Sequence, residues 1–187
     1  MKQRELIYRR FNSYRFQKAS HEIVKYEPQY YDETGVYRKD EWTCFFDIGK
    51  ECEGKVVTME DYLAIENRFI AVARAILIES GCTYVTLGYV EPRRRKGVKE
   101  GMRVRVLQID EYIRLALRGK YYIVFINGSK GVQFDFSEDV MYMHLFCRIP
   151  DEKLREIVES RGLYLDPRTR RVVICHDDKL ELCTLGK

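Results

Sequence analysis

Residues 58–90, TMEDYLAIENRFIAVARAILIESG followed by CTYVTLGYV, limit what this chain can fold into more than any other stretch. Met59, Tyr62, Leu63, Phe69, Ile70, Ala73, Ile76 and Leu77 recur at the three-and-four spacing of one buried helical stripe. Thr58 and Asp61 form a Thr-x-x-Asp start, in which the hydroxyl accepts from a first-turn amide while the carboxylate reaches back. Glu60 and Asp61 suit the positive end of the helix dipole, and Glu66 is assigned to the surface. Gly81 ends the helix, because a residue without Cβ enters left-handed backbone cheaply. Residues 83–90, rich in β-branched and aromatic side chains, predict a strand. A helix and a strand joined by so short a turn must pack face to face.

Flanking segments extend this into an α+β domain. Residues 22–31 and 36–46 surround the turn Asp32-Glu33-Thr34-Gly35 and predict an antiparallel hairpin, with Trp42, Cys44 and Phe46 on one face by alternation. Residues 102–107 predict a strand, and Ile109, Tyr112, Ile113, Ala116 and Leu117 a second amphipathic helix stopped by Gly119. Residues 121–126, 131–136 and 141–149 predict a β-meander whose first turn carries Asn127-Gly128, a strong hairpin cue. Pro150, Asp151 and Glu152 start a third helix. Residues 163–165 and 171–175 predict a terminal hairpin, and 176–187 a loose tail. The expected fold is thus one domain over residues 1–187. It has a mostly antiparallel sheet with a C-terminal meander, packed by one long and two shorter amphipathic helices.

Chemistry is harder to place. The chain lacks a P-loop, a dinucleotide GxGxxG, a nucleophile elbow and an HExxH motif. The six cysteines, Cys44, Cys52, Cys82, Cys147, Cys175 and Cys183, show no close CxxC pair, so free thiols and a cytoplasmic setting are expected, without metal or cofactor. No apolar run is long enough to span a bilayer, so no membrane partner is expected. One acid–base pairing stands out: His144 and Asp135 fall on neighbouring predicted strands, where a carboxylate could orient an imidazole.

Charge carries more information. The net charge is only +4, but it is segregated. Between residues 32 and 61 acids outnumber bases, and Asp40, Glu41, Trp42, Asp47, Glu51 and Glu53 form a candidate acidic partner-binding patch. Arg93, Arg94, Arg95 and Lys96 form a basic loop, with Lys99, Arg103 and Arg105 following. Each arginine can take phosphate or carboxylate in a bidentate fork, while a merely solvated loop accounts for the cluster equally well. Residues 4–18 interleave basic and aromatic side chains, as a single-strand stacking platform would, or as an amphipathic segment with a wet basic side.

Taken together, the stretch DEWTCFFDIGKECEGKVVTMEDYLAIENRFI, the segregated charge, the free cysteines and the missing active-site motifs resemble small bacterial immunity proteins of contact-dependent and polymorphic toxin systems. The resemblance implies a non-catalytic protein that neutralises a cognate toxin domain by occluding its surface. A net basic chain departs from the acidic immunity proteins that cover nuclease clefts. This points to another toxin class or to use of the acidic patch alone. Two other expectations stay open: a nucleic-acid-binding accessory protein using the basic loop, and a small enzyme centred on His144.

Overall fold

The computed structural model describes residues 20–33, 36–92, 97–137, 141–166, 171–176 and 179–184. The basic–aromatic segment 4–18, the turn residues Thr34 and Gly35, and the basic loop Arg93 to Lys96 lie outside them.

The long helix, α1 (Met59–Glu79), begins as its sequence dictates. Thr58 Oγ1 accepts from the Asp61 amide at 3.1 Å, and Asp61 Oδ2 accepts from the Thr58 amide at 3.0 Å. It ends on Gly81 at φ 69°, where the Gly81 and Cys82 amides donate to the carbonyls of Ile78 and Leu77. The buried stripe is Tyr62, Glu66, Phe69, Ile70, Val72, Ala73, Ile76 and Leu77. Two assignments change. Met59 sits at the exposed N-terminus, before the stripe meets the core, and Glu66 lies inside the stripe, fully buried.

Seven strands form one antiparallel sheet. In chain order they are β1 (Ser20–Val24), β4 (Tyr84–Glu91), β5 (Arg103–Arg105), β6 (Tyr122–Asn127), β7 (Val132–Phe136), β8 (Tyr142–Phe146) and β9 (Tyr164–Leu165). Their spatial order is β5-β4-β6-β7-β8-β1-β9. β2 (Glu51–Cys52) and β3 (Lys55–Val56) make a separate small hairpin. The meander β6-β7-β8 holds the centre, as its alternation predicts, and β1 adds antiparallel to β8.

Helices α1, α2 (Asp110–Leu117) and α3 (Asp151–Glu159) share one core with the sheet. Into it the strands send Ile23, Val85, Leu87, Val90, Ile123, Phe125, Phe134, Phe136, Met143 and Leu145. Phe125 and Phe134 stack across strands at 4.7 Å, and Phe69 of α1 meets Phe136 edge-on at 6.1 Å. Period-two alternation then sends Glu22, Asp135 and His144 to the opposite, outer face.

The hairpin expected over residues 22–46 is reduced to an isolated bridge between Tyr31 and Tyr37. Residues 28–30 and 45–47 form 3-10 turns instead, so strand alternation does not govern Trp42, Cys44 and Phe46. At the other end, β9 pairs with β1 rather than with the following segment. β10 (Arg171–His176) pairs with β11 (Lys179–Thr184). Local pattern identified β9 and β10, whereas residues 179–184, expected within a loose tail, form β11, because a strand without clear alternation is recognised only by the partner it pairs with.

Candidate partner-binding surface

The acidic segment before α1 is built from the inside outward. Tyr62, fully buried on α1, receives Phe45 edge-on at 5.1 Å and Trp42 at 5.8 Å. These two rings pin the segment to the helix. Asp47 Oδ2 then accepts from the amides of Thr43 at 2.7 Å and Cys44 at 3.1 Å and from the Thr43 hydroxyl at 3.0 Å, closing the 3-10 turn Phe45–Asp47. Partial burial pushes the Asp47 carboxyl up, but the Lys50 ammonium and the Thr43 and Cys44 amides outweigh it and hold it well below the ordinary carboxylate range.

Glu41 is also committed internally. It accepts from Lys25 Nζ and from the Tyr37 hydroxyl, each at 2.7 Å. The Lys25 side chain is 3% exposed, with its ammonium 4.4 Å from the Trp42 ring and 4.6 Å from Tyr26. Burial lowers the Lys25 pKa more than Glu41 restores it. Burial raises the Glu41 pKa, yet its two hydrogen bonds bring it below normal. Of the six sequence candidates, Glu41, Trp42 and Asp47 therefore make the scaffold, while Asp40, Glu51 and Glu53 are exposed on it.

Main-chain bonds join this scaffold to the helix start. The Gly49 amide donates to the Val57 carbonyl at 2.8 Å and the Val57 amide to Lys50 at 2.9 Å, with the β2–β3 hairpin between them. Glu53, at φ 50°, and Gly54, at φ 74°, form the two-residue loop of that hairpin. Both need left-handed backbone, and Glu53 adopts it with a Cβ. Lys50 is held by Asp47 at 2.8 Å and Lys55 by Asp61 at 2.9 Å, so these two ammonium charges are matched, while the Lys39 ammonium lies 3.5 Å from the Tyr30 ring centroid. Asp40, Glu51, Glu53 and Glu60 are left to set the sign of the surface.

Among these acids stand exposed apolar side chains: Phe46 at 63%, Val56 at 53% and Met59 at 45% exposure. Sequence alternation missed them. One signal was available, since Phe45 and Phe46 are adjacent and a tight turn cannot bury both rings against the same helix.

The other sequence candidates separate. Asp135 stands opposite His144 across β7 and β8, and Glu22 stands opposite His144 across β8 and β1. His144 Nδ1 is 3.8 Å from Glu22 Oε1. Burial pushes the Asp135 carboxyl up, against the opposing pull of His144 and the Tyr122 hydroxyl. Arg93, Arg94, Arg95 and Lys96 lie outside the described residues. Among the described residues no three His, Cys, Asp or Glu side chains gather as metal ligands, and no helix is long and apolar enough to cross a membrane. Cys44, Cys52, Cys82 and Cys147 are free thiols. No family model, curated protein or solved structure matches this chain.

Proposed function

We propose that this chain is a non-catalytic binding protein of the immunity type, which neutralises a toxin domain by covering its surface with the segment 40–60. The observation that carries this reading is Phe46, an aromatic ring 63% exposed on a turn fixed by Asp47 and anchored through Phe45 to Tyr62. Exposed aromatics on rigid supports are what binding hot spots are made of, because little side-chain entropy is lost on contact. The surrounding Asp40, Glu51, Glu53 and Glu60 fit a partner whose apolar pocket is rimmed by lysine and arginine.

Co-expression with the toxin domain encoded by the adjacent gene tests the reading. Wild-type chain restores growth and binds one-to-one in high salt. Phe46→Ala combined with Glu51→Lys and Glu53→Lys abolishes both while the circular dichroism spectrum and melting curve stay native. Protection that survives those three changes overturns the surface assignment. A gene neighbourhood without a toxin-like reading frame, together with no protein retained at high salt, overturns the function.

A further inference from the structure

At the far edge of the sheet, Thr83, Tyr84, Arg103 and Arg105 line an open groove of about 370 Å³. The geometry points to a second binding site here, for a phosphate group, separate from the surface around Phe46.

Its construction follows from the β4–β5 ladder. Arg105 stands opposite Tyr84 and Arg103 opposite Thr86, so both arginines, two apart, project on the same side as Tyr84. The Arg103 guanidinium lies 3.5 Å from the Tyr84 ring centroid. Stacking fixes the guanidinium plane and leaves its N–H donors at the rim, where they can engage two oxygens of one anion. Tyr84 is itself held, since Asn127 Nδ2 donates to its carbonyl at 2.7 Å. The Asn127 side chain is locked in turn by Ser129 and Lys130 in the β6–β7 turn.

The Leu87 amide donates to Met102 and the Val106 amide to Thr83, so Val104 is the residue of β5 that bonds inward to β4. The N–H groups of Arg103 and Arg105 therefore face out from the sheet edge. Lys130 packs its ammonium against Gly81, two residues before Thr83, and adds positive potential at this end. Among the described residues neither Arg103 nor Arg105 forms an ion pair with a carboxylate. Two forked cations and a hydroxyl suit a tetrahedral oxyanion, borne either by a small phosphate ester or by a single-stranded nucleic-acid backbone.

Full-length protein labelled with nitrogen-15 is titrated with inorganic phosphate, a mononucleotide, single-stranded oligothymidylate and, as a carboxylate control, oligoglutamate. Phosphate-bearing probes are expected to shift the Arg103 and Arg105 Nε–H signals and the Thr83 amide saturably. Arg103→Ala with Arg105→Ala weakens binding about tenfold or more, as loss of charge-assisted hydrogen bonds requires. Arg103→Lys keeps the charge but loses the fork, and falls between. Oligothymidylate binding well above the mononucleotide identifies nucleic-acid backbone as the source, and equal affinity identifies a small ester. The proposal is overturned by no saturable shift with any phosphate probe, by oligoglutamate binding as well as they do, or by affinity unchanged in the double alanine variant. Both arginines are exposed, so these variants are expected to fold.

Discussion

Glu66 and Arg118 are locked together by two hydrogen bonds of 2.7 Å, Arg118 Nε to Oε2 and Nη2 to Oε1, with the Glu66 side chain fully buried. Arg114 Nε approaches the same carboxylate at 3.3 Å. The pair fastens α2 to α1 beneath the ring of Phe45, whose centroid lies 5.8 Å from the Arg118 guanidinium. It thereby supports the turn that presents Phe46. Burial, together with the charge of Glu66, also raises the pKa of the adjacent Tyr62 hydroxyl.

Removing one partner of this pair strands the other. Arg118→Met leaves the Glu66 carboxylate with Arg114 alone and is expected to cost about 3 kcal/mol. Glu66→Met costs less, because Arg118 is 26% exposed and can turn to water. The double variant regains most of the loss, since an apolar pair of similar volume carries no desolvation penalty. Urea midpoints in a double-mutant cycle measure this. Additive single losses would show that the pair is not coupled.

Glu53 carries backbone strain at the hairpin tip. A residue with a Cβ in left-handed backbone gives up about 1 kcal/mol, and glycine does not. Glu53→Gly is therefore expected to raise the melting temperature and, if the proposed surface binds a basic partner, to weaken that binding through loss of the carboxylate. Scanning calorimetry with binding titration separates the two effects. A variant that is less stable would refute the strain argument.

Asp135 is an acid whose burial favours its protonated form, so the sign of its pH effect is reversed from that of a salt-bridged carboxylate. The contribution is fully present below the unfolded pKa, near 4, and is lost as pH rises through the higher folded value. His144 opposite and the Tyr122 hydroxyl moderate it, with Glu22 on the far side of His144. Asp135→Asn should stabilise the protein at about pH 8, with the gain shrinking towards pH 4. Chemical denaturation at several pH values reads the difference. A gain independent of pH would assign the effect to packing.

Gly88 lies where β4 bulges between Leu87 and Tyr89. A Cβ placed there would sit 2.1 Å from Ile126 Cδ1 and 2.9 Å from Cγ1. Gly88→Ala is expected to destabilise by about 1–3 kcal/mol through overpacking. Adding Ile126→Val removes Cδ1 and recovers part of that loss, as guanidinium denaturation will show.

The order of certainty between sequence and structure follows the range of the interactions involved. Capping of α1 by Thr58 and Asp61, its stop at Gly81, the Asn127-Gly128 turn and the alternation of β7 and β8 are short-range, and each was legible from the residues alone. The opposition of Asp135 to His144 followed from the same alternation once neighbouring strands were paired. Three features required the tertiary structure. Glu66 looks like a surface acid until α2 delivers Arg118 from 52 positions away. Residues 36–46 read as a strand, but Trp42 and Phe45 are drawn onto Tyr62, which bends the chain into a 3-10 turn and forces Phe46 outward. The acidic patch divides in the same way: Glu41 and Asp47 bind cations and amides that only folding brings to them, leaving Asp40, Glu51 and Glu53 at the surface. Local propensity and period are written in neighbouring residues. Which charge is buried and which ring is left in water depends on partners that the chain meets only after it has packed.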